Sequence, residues 1–306
     1  MNNRIAIIDL GTNTFHILIV ENNDRCPILI HQNTIPVSLG EGGMEDGQIT
    51  AAAFKRGLEA LKQFKKVIET LQITKVKALA TSALRSASNG ANFIEQVLSD
   101  TGIHIELIDG NREAELIYSG VRAAIPLKNH KSLIMDIGGG SVEFIICNQE
   151  QIFWKRSYDI GAARLMNTFH HSDPISKSEV NALHTYLNSV LIDLIAQLRK
   201  LNPIQLIGSA GAFETYASMI DAEFKPSFEN PEFNIDFNEF EKIAKYIIES
   251  NHQERAKNPA IPAIRVNMIV VACILTRYIL DLHPFKSLNL STYSMKEGMY
   301  FEIINS

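Results

Sequence analysis

One pattern occurs twice in this chain and constrains its fold more than any other feature. Residues 7–19 (IIDLGTNTFHILI) align without gaps on residues 134–146 (IMDIGGGSVEFII). Each copy consists of an apolar segment, an Asp, an apolar residue, a Gly, three small residues and a second apolar segment, which is typical of a β-hairpin. Two such hairpins, each near the start of one half of the chain, predict a duplicated domain whose two turns face one cleft.

The rest of the sequence fits two α/β domains. The chain has 306 residues, which exceeds the usual size of one domain. Strand-like segments alternate with helical ones, as in α/β proteins. Pro126 and the polar residues 128–131 mark the boundary, so we predict an N-terminal domain at residues 1–125 and a C-terminal domain at 126–306. The last helix, from about Ser294, could pack back on the first domain.

Several helices are predicted from caps and periodicity. Thr50 caps an amphipathic helix that ends near Leu71, and Ser176 with Glu179 forms a capping box for a helix ending near Lys200. A capped helix is predicted at residues 236–250. Residues 264–282 are apolar almost all round, which predicts a buried helix.

Charge and hydropathy exclude several classes of partner. The formal net charge is −5, so no general basic field attracts nucleic acid or an anionic membrane. A polyanionic substrate would therefore need a locally basic site. The apolar stretch at 269–282 is interrupted by Arg277 and Asp281, and is too short and too charged to span a bilayer.

The cysteines and the N-terminus predict a cytoplasmic protein. Cys26, Cys147 and Cys273 are far apart and form no CxxC pair or zinc-type cluster. Reduced core thiols are the ordinary interpretation. The first residues lead directly into an apolar strand, so we expect no signal peptide.

The duplicated turns have the composition of phosphate-binding loops. Asp9 and Asp136, each at a strand end, are suited to hold a hydrated Mg²⁺, because hard cations prefer oxygen ligands. Glycine and small hydroxyl residues let backbone N–H groups approach phosphate oxygens closely. A tight hairpin needs one or two glycines, so the run of three favours phosphate binding over a purely structural turn. The candidate phosphate-binding residues are Gly11, Thr12, Asn13, Thr14, Gly138, Gly139, Gly140 and Ser141.

This duplicated pattern resembles that of the actin, sugar-kinase and chaperone-ATPase superfamily. It is still more similar to one branch, the exopolyphosphatase and guanosine pentaphosphate phosphohydrolase family. Segments that carry the resemblance, besides the first hairpin, are TSALR at 81–85, GNREAEL at 110–116 and DIGGGSVEF at 136–144. The resemblance implies two ribonuclease-H-like (actin-like ATPase) domains, with mixed sheets flanked by helices and an active site in the interdomain cleft.

The resemblance also assigns catalytic and metal-binding roles. Glu113 matches the family's catalytic carboxylate; from the residues alone, a Glu in a first helical turn could position water or simply favour the helix dipole. Arg85 matches a basic motif that grips phosphate, where a guanidinium binds bidentately. Asp136 and Glu143 are the expected ligands of Mg²⁺, or another divalent cation, with Asp9 as a third.

The second half departs from the family pattern at several positions. A third loop, with Gly208, Ser209 and Gly211, and a nearby motif with Arg265, supply further expected phosphate contacts. The departures are Ala212 for a usual Thr, Asn267 for Asp, and Thr292 with Tyr293 in the terminal segment. They affect how a longer substrate or a base would be held rather than the primary chemistry.

Four functions remain open from the sequence. The favoured one is an exopolyphosphatase that releases terminal phosphate from inorganic polyphosphate, with a preference for short or medium chains because no further domain follows. A guanosine pentaphosphate 5'-phosphohydrolase is the first alternative. A polyphosphate or nucleotide sensor with weak turnover is the second, and a phosphotransferase is the third. A homodimer is compatible with the resemblance.

Overall fold

The computed structural model describes residues 4–23, 27–43, 46–225 and 227–305. Cys26 lies outside these residues. The chain divides into two compact units: residues up to Gly120 together with those from Met295 onward, and Val121–Ser294. Each unit has its own hydrophobic core.

The first unit contains a five-stranded mixed sheet. Its elements in chain order are β1 (Arg4–Leu10), β2 (Thr14–Glu21), β3 (Ile28–Pro36), α1 (Ala51–Thr70), β4 (Lys75–Ala80), α2 (Ser82–Ser86), α3 (Gly90–Thr101), β5 (Ile105–Leu107) and α4 (Gly110–Ala124), whose last four residues belong to the second unit. The strand order is β3-β2-β1-β4-β5. The strands β1, β2 and β3 form an antiparallel meander, and β4 and β5 run parallel to β1.

Apolar periodicity explains the core of this unit. The predicted hairpin is confirmed, with Asp9 opposite His16 across β1 and β2. The predicted helix is also confirmed: the Thr50 side chain accepts a hydrogen bond from the backbone N–H of Ala53 at 3.3 Å. The buried face of α1 meets the sheet and α3, where the ring of Phe93 contacts the ring of Phe54 with centroids 5.0 Å apart.

The second unit repeats this arrangement and enlarges it. Its elements are β6 (Ser132–Ile137), β7 (Val142–Cys147), β8 (Ile152–Tyr158), α5 (Ala162–Phe169), α6 (Lys177–Val190), α7 (Ile192–Leu201), β9 (Gln205–Ser209), α8 (Ala210–Ile220), β10 (Glu232–Ile235), α9 (Phe237–Glu249), α10 (His252–Lys257), a 3₁₀ turn (Ala263–Arg265), α11 (Met268–Leu282) and β11 (Ser287–Ser291).

The second sheet repeats the strand arrangement of the first and adds one strand. The strand order is β10-β11-β9-β6-β7-β8. Here β6, β7 and β8 form the antiparallel meander, β9 and β11 add parallel strands, and β10 closes the far edge in the antiparallel sense. Each unit thus places its hairpin before parallel strands. The predicted α/β class, with two mixed sheets flanked by helices, is confirmed.

Two predicted helices differ in their bounds. The helix expected to run from Ser176 to Lys200 is two helices, because Leu191 leaves helical geometry at φ −98° and ψ 20° while its buried side chain stays in the core. The predicted capping box of Ser176 and Glu179 is present. The buried apolar helix begins at Met268 rather than 264. Across the described ranges, no helix combines the length and apolar character that a bilayer crossing requires.

The final helix, α12 (Met295–Asn305), belongs to the first unit. A Cβ on Gly298 would lie 1.8 Å from the carbonyl oxygen of Leu116, so α12 touches the backbone of α4 directly. The hydroxyl of buried Tyr300 donates to Asn22 at 3.1 Å, and Arg112 pairs with Glu302. These contacts attach the end of the chain to the unit that its beginning forms.

Candidate active site

The first loop joins β1 to β2 and is closed by its own backbone. The N–H of Gly11 donates to the carbonyl of Thr14 at 3.1 Å, and a Cβ on Gly11 would lie 3.0 Å from that oxygen. The carbonyl of Asn13 accepts from the amides of Val37 and Ser38 at 2.9 and 2.8 Å. All four predicted residues of this loop, Gly11 to Thr14, therefore lie in one turn whose carbonyl groups are partly occupied by the segment after β3.

Glu113 and Arg85 are brought together in the first unit. Glu113 lies in the first turn of α4, where its N–H bonds to the carbonyl of Asp109 at 3.0 Å. Arg85 lies in the last turn of α2 and donates from Nη1 to the carbonyl of Ile108 at 2.9 Å and to Glu113 Oε2 at 3.4 Å. The Glu113 side chain is 11% exposed. The cation beside it offsets the cost of placing a carboxylate in a largely buried position.

The second loop repeats the closure of the first with a different support. Gly138 donates to the carbonyl of Ser141 at 3.0 Å, and a Cβ on Gly138 would lie 3.0 Å from that oxygen. The carbonyls of Gly138 and Gly139 accept from the amides of Ala162 and Ala163, both at 2.9 Å. The loop therefore rests on the N-terminus of α5.

The amide groups of this loop are suited to bind an anion. In the described part of the chain, the backbone N–H groups of Gly139 and Gly140 donate to no protein acceptor. Backbone amides beside glycines can approach a phosphate closely because no Cβ intervenes. The predicted residues Gly138 to Ser141 thus form one concave turn with available donors.

A pair of carboxylates is buried beside this loop. Asp136 and Glu143 lie directly opposite each other across β6 and β7, so their side chains share one face of the sheet. Asp136 is 7% exposed and Glu143 is 1% exposed. Ser209 donates to Asp136 Oδ2 at 2.5 Å, and Ser157 donates to Glu143 Oε1 at 2.6 Å.

This carboxylate pair fits a divalent cation. Two buried negative charges on one face repel each other, and a cation would offset that repulsion. Among residues 4–23, 27–43, 46–225 and 227–305, no three acidic, His or Cys side chains converge into a metal cluster. Mg²⁺ commonly uses one or two carboxylates, water and substrate phosphate rather than a complete protein cage. Asp136 and Glu143 are therefore suitable, and Asp9 remains a prediction as a third ligand.

The predicted third loop is a direct strand-to-helix junction: Gly208 and Ser209 end β9, and Gly211 lies in the first turn of α8, where Arg265 packs against it. A Cβ on Gly211 would lie 2.0 Å from Nη2 of Arg265, so the glycine is what admits the guanidinium. Arg265 also donates to Thr215 and to Glu214, each at 3.3 Å. Asp136 and Ser209 are paired in register at the carboxyl ends of β6 and β9, so the second and third loops leave the same edge of the sheet.

The positions that depart from the family pattern have structural partners. Asn267 Oδ1 lies 2.7 Å from His252 Nδ1, and the Tyr293 hydroxyl donates to the carbonyl of Phe228 at 3.1 Å. Thr292 donates its N–H and its hydroxyl to the carbonyl of Pro231. Ala212 is buried in the first turn of α8. These side chains hold local structure around the third loop and β11.

Several residues near the loops escaped the sequence analysis. They are Arg56, which donates to the carbonyls of Val37 and Ser38; Arg164, which donates to the carbonyl of Gly140; Ser157, on Glu143; and Ser82, whose buried hydroxyl has no partner among the described residues. For Arg164, the small residues Gly161 to Ala163 are a local sequence signal that could have indicated close backbone packing next to it. The other contacts join positions that no local pattern relates.

The two cysteines in the described part of the chain, Cys147 and Cys273, are not nucleophiles for this site. Burial raises the pKa of the Cys147 thiol to about 12, with Arg122 opposing the shift. Burial also raises the pKa of Cys273. Neither thiol supplies a thiolate nucleophile near neutral pH, so the carboxylates and arginines above are the groups available for chemistry.

Comparison with known proteins agrees with this geometry. A family model described as "Ppx/GppA phosphatase family" matches residues 18–306. A crystal structure of an exopolyphosphatase from Cytophaga hutchinsonii is 38% identical, with a TM-score of 0.95, and the match covers 99% of this chain and 98% of that one. The predicted resemblance to the exopolyphosphatase and guanosine pentaphosphate phosphohydrolase family is confirmed.

Two curated relatives are also similar along the whole chain. The putative exopolyphosphatase of Haemophilus influenzae is 25% identical over 98% of this chain and 91% of its own length. The guanosine-5'-triphosphate,3'-diphosphate pyrophosphatase of Aliivibrio fischeri is 23% identical over 100% of this chain and 60% of its own length.

Proposed function

Because this chain belongs to the Ppx/GppA phosphatase family, we propose that it is an exopolyphosphatase that releases terminal orthophosphate from inorganic polyphosphate. The observation that carries the proposal is the second loop: free glycine amides beside the buried pair of Asp136 and Glu143. Amides of this kind suit phosphate oxygens, and the carboxylates suit the cation that accompanies a polyphosphate.

Glu113 is the proposed catalytic carboxylate. Its oxygen can accept a hydrogen bond from the attacking water and orient it toward phosphorus, and its position beside Arg85 fixes the side chain. Arg85 then has a second use, since its guanidinium can stabilise negative charge on the transferred phosphoryl group. Phosphoryl transfer depends mainly on positioning and charge, so no covalent nucleophile is required.

The remaining predicted residues are proposed to hold the phosphate chain. The loops at Gly11 to Thr14 and Gly138 to Ser141 supply backbone amides, and the third loop supplies Gly208, Ser209 and Gly211 with Arg265. A bound Mg²⁺, held by Asp136 and Glu143 with Asp9 as a further candidate, would supply charge neutralisation of the phosphate oxygens. The net charge of −5 makes these local cations the main attraction for a polyanion and disfavours nucleic acid as a partner.

Guanosine pentaphosphate is the second candidate substrate. A relative named for a guanosine substrate matches the whole of this chain, although the match spans 60% of that relative's length. Polyphosphate is preferred because the relative that is 38% identical is an exopolyphosphatase. We further propose a cytoplasmic location, which suits the buried free thiols Cys147 and Cys273.

The deciding experiment is phosphate release from polyphosphate and from guanosine pentaphosphate, with and without Mg²⁺. We expect release from polyphosphate that depends on Mg²⁺ and falls about 10²–10⁴-fold in Glu113→Gln, the usual range for loss of a general base. Glu115→Gln is the matched control, because Glu115 lies two positions away on α4 with a side chain 45% exposed.

Each outcome of this experiment is informative. Release only from the nucleotide would keep the chemistry and replace the substrate. Loss of activity in both the Glu113 and Glu115 variants would contradict the specific role of Glu113. Tight binding of polyphosphate without release would favour the sensor interpretation over the enzyme.

A further inference from the structure

Arg164 occupies a position that the reaction described above does not use. It is the third residue of α5, and its backbone N–H lies 3.4 Å from the carbonyl oxygen of Gly139. Its side chain donates from Nε to the carbonyl of Gly140 at 3.3 Å. The guanidinium is therefore fixed against the second phosphate loop at its inner nitrogen.

The outer nitrogens of this guanidinium have no protein partner in the described ranges. Most other arginines of the structure have a carboxylate within ion-pair distance, among them Arg156, Arg255 and Arg277. A half-buried guanidinium with two outer nitrogens, four N–H donors in all, and no counter-charge is suited to an anionic ligand, since its planar fork matches phosphate oxygens bidentately.

The geometry of the loop indicates which phosphate Arg164 would bind. Arg164 is bound to the carbonyl of Gly140, whereas the first phosphate is expected on the N–H groups of Gly139 and Gly140. The guanidinium therefore flanks the amide donors of the loop, and a second phosphate of a bound chain is the further anion that it would meet.

We propose that Arg164 binds a second phosphate of the same polyphosphate chain, next to the one held by the loop at Gly138 to Ser141. This inference rests on the proposed function and extends it, because it makes Arg164 a determinant of specificity for chains over the shortest phosphates. Its bond to Gly140 keeps the fork in place, so little side-chain entropy is lost when the phosphate binds.

The test compares Arg164→Gln with the wild-type enzyme on polyphosphate of medium length, and uses orthophosphate, which carries a single phosphate group, as a competitive inhibitor of both. Gln retains a donor for the Gly140 carbonyl and removes the charge. We expect KM for the medium chain to rise about tenfold, which corresponds to ~1.4 kcal/mol, while kcat changes less than threefold. The inhibition constant of orthophosphate should change at least threefold less than KM, and Arg164→Lys should recover part of the loss.

Arg199→Gln is the matched control for charge. Arg199 is an exposed arginine of the same unit, and it lies just before β9, at the opposite end of that strand from Ser209. Its removal should leave KM and the inhibition constant of orthophosphate within twofold of wild type, which separates local binding from the general effect of one positive charge.

Two results would overturn the inference while the proposed function stands: an equal rise in KM for the medium chain and in the inhibition constant of orthophosphate, which would indicate a purely structural role, or no rise in KM. Direct binding of the medium chain is measured in parallel by calorimetry in the Glu113→Gln background, where hydrolysis is suppressed. A wild-type protein that neither hydrolyses nor binds polyphosphate would refute the proposed function, and this inference with it.

Discussion

The two glycine loops close in the same way and are supported differently. In each, the first glycine donates to the fourth residue, at 3.1 Å in Gly11 and 3.0 Å in Gly138. The first loop leans on an irregular segment at residues 37–40, whereas the second leans on the helix α5. A helix resists displacement more than an irregular segment does, so we infer that the second loop is the more rigid of the two and the first the more adaptable.

The residues opposite the two aspartates differ as well. Asp136 faces Glu143, and Asp9 faces His16, which bonds to Thr14 and Thr34 at 2.8 and 2.9 Å. The second hairpin thus has two carboxylates for a cation, while the first has one carboxylate and an imidazole bound within the sheet. We infer that the second hairpin carries the metal chemistry and the first contributes mainly to positioning.

Among variants that test the difference between the two hairpins, the largest effect should come from the aspartates. Asp136→Asn removes one charge of the buried pair, so we expect phosphate release to fall at least about 100-fold, with a higher Mg²⁺ requirement. Asp9→Asn should cost about tenfold or less, because its hairpin lacks the second carboxylate. Rates of phosphate release measured across a Mg²⁺ titration check both values. Equal losses of activity in the two variants would show that the two hairpins do not differ in metal binding.

The rigidity of the second loop is tested at Gly161. A Cβ there would lie 2.4 Å from the backbone of Gly139, so Gly161→Ala must displace the loop or α5. We expect a loss of about 3 kcal/mol in the free energy of unfolding, at the upper end for overpacking, together with a fall in activity. Urea denaturation and phosphate release measure the two.

Gly102→Ala is the control for that variant. Gly102 has φ +70°, and no atom lies within 4 Å of its missing Cβ, so only backbone strain of about 1 kcal/mol is expected. If Gly161→Ala lowers the free energy of unfolding no more than Gly102→Ala does, the second loop is easily displaced and is not the more rigid of the two.

The adaptable loop depends on Arg56. This side chain of α1 donates to the carbonyls of Val37 and Ser38 at 2.7 and 3.0 Å, and so holds the segment that supports Thr12 and Asn13. Arg56→Ala should loosen the first loop and raise KM about threefold, a cost of ~0.7 kcal/mol. Lys55→Ala, one position away, should leave KM unchanged, and an equal shift in both variants would remove the special role of Arg56.

The smallest effect is expected at the other side of the second sheet. Glu232 on β10 accepts from Asn289 Nδ2 at 3.0 Å, and burial raises the pKa of its carboxyl group despite that hydrogen bond. A raised carboxyl pKa means that the folded state binds the proton more tightly, so stability declines as pH rises through the window above 4.5. Glu232→Gln should flatten that decline and leave phosphate release intact.

Thermal unfolding of the Glu232→Gln variant between pH 4 and 7 measures this effect. If the stability of the variant declines equally steeply as pH rises, a group other than Glu232 is responsible. A change in phosphate release would show that the second loop is sensitive to distant parts of its sheet, and would weaken the account of a loop fixed locally by α5.

The sequence predicted the two hairpins because each combines alternating apolar segments with an Asp and glycines in a fixed order. It did not reveal β3 or β8, since edge strands such as Ile28–Pro36 expose much of their surface and lack a clear apolar alternation. The break at Leu191 was also hidden, because no Gly or Pro marks it and tertiary packing of a buried leucine decides it.

The site residues also divide into those that could be selected from the sequence and those that could not. Glu113 and Arg85 could be selected by family resemblance, and the structure adds that they touch. Arg56 and Arg164 could not be selected, because each meets backbone carbonyls 18 to 24 positions away, which no local motif encodes. Contacts to carbonyl groups leave no signature in the partner's residue type, since every residue has the same backbone oxygen.

The return of α12 to α4 has a consequence for how the protein is made. On the ribosome, β1 to β5 emerge first, yet their unit lacks α12 until the whole second unit has been synthesised. Because Gly298 lies against the backbone of α4 with no space for a side chain, no other segment is a simple substitute for this helix. The first unit is therefore completed only after the second unit has been synthesised.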